Sequence, residues 1–363
     1  NVCIIGEGLT ALSLAKSLIN KKINVHYYHK SRNGNFSSNR TIGISKSNLE
    51  FFKEKIFKIA KTNYCKINKI EIYTDKIDTE NLLKFENDKK DLFYIIKNDD
   101  LLKSLKSNLI KSKFFKNIIL KKNISEEFLN KKEYDLIINC DANNFLAKKY
   151  FTKKISKNYY NLAYTTILKH NKIENNTAIQ IFTKQGPIAF LPISNVETSV
   201  VYSIDIKYKK YNDRDIINLI NKNNPKYKIN KIAKLNNFKL SSSNLRNYYH
   251  KNILAFGDVL HRIHPLAGQG FNMTIRDLRI LTKIIEDKIE LGIQLDSSIL
   301  SEFEKKTKDK NFVFSKAIDF IYESFNLDKK VQNKSFSRIL KSIGKNKNLN
   351  NYFIKLADTG INF

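Results

Sequence analysis

Apolar and polar positions repeat with two different periods along this chain, and the places where the period changes mark out its organisation. Val2-Cys3-Ile4-Ile5 is a short continuous apolar run bounded by glycine, which predicts a buried strand. Leu12, Leu14, Ala15 and Leu18 then follow at helical spacing, and 23–28 supplies the next strand, so the chain opens as a βαβ unit. The pattern further predicts a helical segment over 46–62, a strand around 70–75, a second patch at 93–97 and a helix over 99–110 started by Asn98-Asp99-Asp100. From 159 to about 202 it changes to alternating β runs, such as Tyr164-Thr165-Thr166-Ile167-Leu168 and Val200-Val201-Tyr202-Ser203, which implies a mostly antiparallel sheet. Asn252-Ile253-Leu254-Ala255-Phe256 reads as one more buried strand, returning the chain to its first domain. The expected division is therefore a discontinuous nucleotide domain (1–67, 98–158 and 250–300), an inserted sheet domain (68–97 and 159–249) and a C-terminal helical segment (301–363). In that last segment Phe312, Phe314, Ile318, Ile321 and Phe325, then Ile339, Leu340 and Ile343, form a stripe. Such a stripe docks on the parent domain or faces lipid or a partner; docking is the expectation.

Two glycine-rich segments at opposite ends of the chain carry the chemistry. Gly6-Glu7-Gly8-Leu9-Thr10-Ala11 follows the first strand and opens the first helix as G-x-G-x-x-A. The first Gly permits a tight turn, the second lets backbone approach a pyrophosphate, and the small third residue lets helix pack on strand. Near the other end, Gly257-Asp258 leaves a strand and leads through His261, His264 and Pro265 to Gly268-Gln269-Gly270, directly ahead of a helix beginning near Phe271-Asn272. Unpaired N–H groups at a helix N-terminus, reinforced by the macrodipole, favour negative charge in front of them.

Composition narrows the function classes. At 363 residues and 42% hydrophobic the chain buries a sizeable core and exceeds the usual single-domain size, so two interlocked domains are expected. The net charge of +30 would suggest nucleic acid or an anionic membrane. The excess is mostly Lys spread along the chain, with no nucleic-acid-binding module and no interleaved basic–aromatic platform, so nucleic acid is not an expected partner. No run of 18 apolar residues exists, and the chain enters its first strand without a secretory signal, so the sequence reads as cytoplasmic. Cys3, Cys65 and Cys140 are solitary and read as reduced, buried residues. His261 and His264 at i, i+3 lack a carboxylate or Cys partner at ligand spacing, so no metal site is expected.

The segment from Gly257 to Asn272, with its wording RIHPLAGQGFN followed by RDL, resembles the second FAD motif of the class A flavoprotein monooxygenases, and most closely the ubiquinone-biosynthesis hydroxylases. Three further matches keep chain order: Asn39-Arg40-Thr41-Ile42-Gly43-Ile44-Ser45, the F-x-x-x-G-P-x-A-x-L-P stretch at 182–192, and Asp141 in the place of an Asp-Gly motif. Ala142 stands there for the Gly, and His26-Tyr27-Tyr28-His29-Lys30 replaces the carboxylate that relatives use to hold the adenosine ribose. His29 or a backbone group could substitute; a plain packing role for His29 is the other reading.

The resemblance covers nearly the whole chain. It implies an α/β fold, with a Rossmann-like FAD domain of the para-hydroxybenzoate-hydroxylase type, an inserted antiparallel β-sheet substrate domain and C-terminal helices. It also implies non-covalent FAD, NAD(P)H as co-substrate, and O2-dependent hydroxylation, through a flavin C4a-hydroperoxide, of a phenol carrying a polyprenyl tail. Expected partners beyond substrate and O2 are a membrane surface, on the inner face of the cytoplasmic membrane, and other quinone-biosynthesis proteins. Gly6, Gly8 and Ala11 would lie at the adenine-side pyrophosphate with Arg40 beside them. Asp258 would lie on the ribityl or pyrophosphate side, and Asp141 would serve FAD and the nicotinamide donor. Gly268, Gln269, Gly270 and Asn272 would sit at the isoalloxazine, Pro265 would shape its substrate side, and His264 would be a polar contact near the reaction centre. Two alternatives stay open: an FAD epoxidase or oxidase on the same scaffold, and a non-catalytic subunit of a quinone-biosynthesis complex.

Overall fold

A computed structural model describes residues 1–30, 40–74, 82–86, 91–120, 133–207, 209–265, 268–331 and 347–360. The N-terminal apolar run forms β1 (Val2–Ile5), buried along its whole length because it lies inside a six-stranded sheet. The other members are β2 (Val25–Lys30), β8 (Phe115–Leu120), β9 (Leu136–Asn139), β16 (Tyr249–His250) and β17 (Ile253–Ala255), in the order β16-β17-β9-β1-β2-β8. β1 pairs in parallel with β2 on one side and with β9 on the other. The chain thus leaves β1 in one direction through helix α1 (Leu9–Asn20) and returns later on the opposite side. That reversal opens a crevice beyond the carboxyl ends of the strands, where open α/β sheets bind ligands. Gly6, Cys140 and Phe256 follow directly on β1, β9 and β17 at this edge.

The inserted domain is a nine-stranded sheet. It contains β5 (Lys69–Thr74), β6 (Leu83–Glu86), the 17-residue β10 (Lys154–His170), β11 (Thr177–Thr183), β12 (Gly186–Ser194), β13 (Glu197–Asp205), β14 (Ile229–Ile232), β15 (Asn236–Leu245) and β18 (His261–Arg262). The pairings are antiparallel except β5 with β11. Gly186 sits at φ 144° in the β11–β12 hairpin, and a Cβ there would come within 1.9 Å of Ser203 O, so the F-x-x-x-G-P spacing records a steric need. The expected boundaries shift locally. The sheet starts at Lys154 rather than 159 and recruits β18 from the glycine-rich segment. Residues 93–97 form β7 (Phe93–Lys97), which pairs with β3 (Thr41–Ser45) and β4 (Tyr64–Ile67) in a small third sheet instead of joining the large one.

Among the remaining helices, α2 (Lys46–Phe51) passes into a π-helical turn at Phe52–Ile56 and stops, well short of the expected 62. Helix α3 (Asn98–Leu109) starts one residue early, with Asp99 and Asp100 in its first turn complementing the dipole rather than capping it. α4 (Phe145–Tyr150) and α5 (Asp213–Lys222) are capped by the side chains of Asn144 and Asn212. α6 (Gln269–Glu290) is the long helix behind the glycine-rich segment, followed by α7 (Ser297–Val331) and α8 (Lys347–Thr359).

The C-terminal stripe docks, but on two bodies. Ile299, Leu300 and Phe303 enter the core of the nucleotide domain, whereas Phe314, Ile318, Tyr322 and Phe325 close over the sheet residues Tyr159, Ala163, Phe182 and Leu240. Phe325 stacks on Phe182 with centroids 3.5 Å apart. α7 is therefore a strap across the interdomain seam. Phe312 faces out, and Ile339, Leu340 and Ile343 lie outside the described residues. Of the three cysteines, Cys3 is buried while Cys65 and Cys140 are half-buried, and all three are free.

Candidate active site

At the crevice edge the two glycine-rich segments meet. Gly6 takes φ 144°, and a Cβ on it would lie 3.0 Å from Cys140 Cβ, so close packing of the β1 and β9 ends requires glycine. Gly257 takes φ 64°, and its Cβ would meet Thr10 Cγ2 at 2.6 Å, which presses the GD turn directly onto the first turn of α1. Ala11 is fully buried beneath the Gly6 turn, as the small-residue position demands. Gly8 is exposed at the N-cap of α1 with no side-chain cap, and a Cβ there would meet nothing within 4 Å. The start of α1 is thus uncapped beside open space at Gly8, an arrangement suited to a diphosphate. Asp258 is exposed just beyond Gly257.

Asp141 stands at the end of β9 in an Asn/Asp turn. Its N–H donates to Asn139 Oδ1 (3.1 Å), and its Oδ1 accepts the Asn143 N–H (2.9 Å). Asn139 and Asn144 bond each other side chain to side chain, and Asn144 caps α4. Ala142 is not at positive φ, so its backbone conformation does not require glycine.

The second glycine-rich segment builds the start of α6. Its N-cap, Gly268, is left-handed (φ 62°) and again supplies no side-chain cap, while a Cβ on Gly270 would project into open space. Gln269 is 3% exposed, and its Oε1 has no hydrogen-bond partner among the described residues. Asn272 is fully engaged within the protein. Its Nδ2 donates to Gly43 O (3.1 Å) and Gly268 O (3.3 Å), and its Oδ1 accepts from Ser45 N (2.9 Å) and Asn48 Nδ2 (3.0 Å). It ties β3 and α2 to the helix start and shapes the mouth instead of presenting a group to it. Gly43 faces Gly268 across this gap under the Phe93 ring, which would stand 1.9 Å from a Cβ at 43. Arg40 is exposed at the foot of β3 with its guanidinium 5.7 Å from the centre of the Phe238 ring, which directs it toward the substrate sheet.

His264 and Pro265 line the seam between mouth and sheet. His264 is 1% exposed, stacked on Tyr322 (4.1 Å) and edge-on to Tyr159 (4.9 Å), and neither ring nitrogen has a hydrogen-bond partner among the described residues. Tyr159 donates to Asp319, and Asn161 Nδ2 donates to Tyr322 Oη (2.7 Å), so sheet and strap hold the two rings that clamp the imidazole. Burial pushes the His264 pKa down to about 3. The imidazole is therefore neutral at physiological pH and offers one donor and one acceptor. The unfolded chain takes up a proton near the ordinary value of 6.5, which the folded chain refuses until about 3. The contribution to stability is complete above 6.5 and is lost as pH falls through that window. His264→Leu is expected to flatten the fall in unfolding temperature as the pH drops from the ordinary histidine range toward the folded value; an unchanged slope would contradict the buried neutral imidazole.

One contact was not legible from spacing. His261 Nε2 donates to Asp277 Oδ2 at 2.5 Å, and Asn311 Nδ2 donates to Asp277 Oδ1 at 2.9 Å, with His261 and Asp277 nearly inaccessible. The pair fixes the loop ahead of the mouth to α6 and α7. The only hint was a His sixteen residues before an Asp, which no local pattern connects. Among the described residues no group of three or more His, Cys, Asp or Glu is placed to hold a metal.

Comparisons with known proteins bear on this geometry. The family described as "FAD binding domain" matches residues 158–292, which run from the substrate sheet through the ring end of the site. The ubiquinone biosynthesis monooxygenase COQ6, mitochondrial, of Dictyostelium discoideum is 25% identical over 422 aligned residues, covering 90% of this chain and 84% of that protein. The 3-demethoxyubiquinol 3-hydroxylase of Escherichia coli (strain K12) is 28% identical over 154 residues, 40% of this chain and 39% of the other. The chain is similar over most of its length to an FAD-dependent ubiquinone-biosynthesis monooxygenase. Its fold is that of the class A flavin monooxygenases. The p-nitrophenol 4-monooxygenase PnpA from Pseudomonas putida DLL-E4 superposes with a TM-score of 0.77 at 12% identity, covering 100% of this chain and 98% of that one. A single-residue variant of Klebsiella pneumoniae HpxO complexed with FAD gives 0.75 at 12%, covering 99% and 98%.

The matched domain assigns FAD as the cofactor of this chain. The residues present fit a flavin dinucleotide. Two helix starts lack side-chain caps, Gly8 and Gly270 leave space that a side chain would fill, and the buried Gln269 oxygen lacks a protein partner among the described residues. No helix among the described residues is long and apolar enough to cross a membrane.

Proposed function

We propose that this monooxygenase hydroxylates the ring of a polyprenylated phenol, a precursor of ubiquinone, at the seam between α6 and the nine-stranded sheet. The observation that carries the reading is the buried His264, without a hydrogen-bond partner among the described residues, beside Pro265 at the seam between the start of α6 and the sheet. One neutral polar group in apolar surroundings suits a single ring hydroxyl.

Gly6, Gly8 and Ala11 form the diphosphate cradle, Asp258 lies beside it, and Gly268, Gln269 and Gly270 meet the ring system. When bound, FAD supplies electron transfer from NAD(P)H and the activation of O2 for insertion into the substrate ring. The chain's own contribution is placement and dryness. N–H groups at the start of α6 stabilise negative charge in front of them. The His264 imidazole accepts or donates one hydrogen bond to the phenol without changing charge, and the α7 strap keeps water from the seam. Asp141 lies at the same crevice edge, available to the dinucleotide or its donor, and Arg40 guards the sheet side. The long tail is drawn from a bilayer, whose anionic surface attracts a chain of charge +30, in company with other proteins of the pathway.

The feature that favours the non-catalytic alternative is Ala142 together with the missing strand-end carboxylate; the backbone conformation at 142 does not itself require glycine. Cells lacking the protein are expected to accumulate a quinone precursor one oxygen short of the next intermediate, measured by mass spectrometry of lipid extracts. An unchanged precursor profile would remove ubiquinone from the reading.

A further inference from the structure

A dinucleotide's adenine-side ribose is ordinarily held by a carboxylate at the end of the second strand of the βαβ unit. Here β2 ends in His29 and Lys30. His29 is already committed to protein, with Nδ1 2.9 Å from Lys30 O and Nε2 3.0 Å from Asn117 Oδ1. A carboxylate nevertheless reaches this place from the glycine loop. Glu7, between Gly6 and Gly8, accepts the Lys30 N–H at Oε1 over 3.0 Å, and the Gly6 N–H donates to Tyr28 O at 3.0 Å, so loop and strand end are joined side by side.

A carboxylate inside a diphosphate cradle is repulsive if it points at the phosphates. The Lys30 bond turns it the other way, toward the end of β2. We infer that Glu7 is the ribose-binding residue of this chain, accepting hydrogen bonds from the 2′- and 3′-hydroxyls in place of the missing strand-end carboxylate. The inference rests on the FAD reading of the crevice. It also explains how β2 can end in His-Lys without loss of the dinucleotide: the charge has moved from the strand to the loop, across one hydrogen bond.

The test uses the full chain stripped of flavin, with FAD rebinding followed by quenching of flavin fluorescence and competed by ADP or 2′-deoxy-ADP. Glu7→Gln keeps an oxygen to accept the Lys30 N–H, so it removes the charge and spares the strand cap. The wild type is expected to bind ADP about tenfold more tightly than 2′-deoxy-ADP, as for hydrogen bonds to an ionised acceptor. Glu7→Gln should weaken FAD about tenfold and abolish the discrimination, with an unchanged unfolding temperature, while His29→Ala retains it. Discrimination that survives in Glu7→Gln, disappears in His29→Ala, or is missing from the wild type overturns the inference. The wild-type measurement decides the matter even if Glu7→Gln fails to fold. A wild type that binds ADP but not FAD would instead overturn the cofactor reading on which the inference stands.

Discussion

Gly257→Val is expected to purify colourless. The residue stands at φ 64°, where a side chain costs about 1–2 kcal/mol, and a Cβ would sit 2.6 Å from Thr10 Cγ2. Relief requires Thr10 to move, and Thr10 belongs to the first turn of α1, beside the proposed diphosphate cradle. One substitution at the far end of the sequence therefore spoils the N-terminal half of the site. FAD affinity should fall by about a hundredfold or more, equivalent to roughly 2.7 kcal/mol, read from the flavin-to-protein absorbance ratio and a fluorescence titration. In the milder Gly257→Ala background, Thr10→Ser removes the offending methyl and should restore part of the binding. A fully yellow Gly257→Val protein would show that the two segments do not share one ligand.

Asp277→Ala should be the most destabilising single change near the site. It leaves His261 without its acceptor and strips Asn311 of its partner in a region almost closed to water. Removing one member of a buried hydrogen-bonded pair costs about 3 kcal/mol or more, because the other member stays desolvated. Thermal unfolding would register this as a drop of about 4 °C. Replacing both partners by leucine should recover much of the loss, because the desolvated group is then gone as well. A single variant as stable as wild type would demote the pair to a surface-like contact.

The elements that the sequence made legible are those whose physical cause is local. Val2–Ile5 had to be buried and central because four consecutive apolar side chains need cover on both faces. Gly6, Gly8 and Ala11 announced the cradle because turn, approach and packing each limit side-chain size at adjacent positions. The hairpin of β11 and β12 was visible for the same reason, through Gly186.

What failed depended on neighbours remote in sequence. Residues 93–97 have the pattern of a strand, but pattern does not choose a partner, and Phe93 was drawn to β3 by the space left over Gly43. Four protein groups bond the Asn272 amide and tie β3 and α2 to the start of α6, a set of contacts that its sequence position did not announce. The helix at 46 ended early where a π-turn replaced its continuation.

By itself, then, the sequence determined the two glycine-rich segments and the strands and helices they join, because backbone sterics and helix-end charge act over a few residues. Only the tertiary structure decided that Gly257 rests on Thr10, that His261 answers to Asp277, and that α7 straps both domains while clamping His264 in a dry, neutral state. These outcomes depend on desolvation and on packing between segments that can lie more than a hundred residues apart, and neither quantity is written in any local pattern.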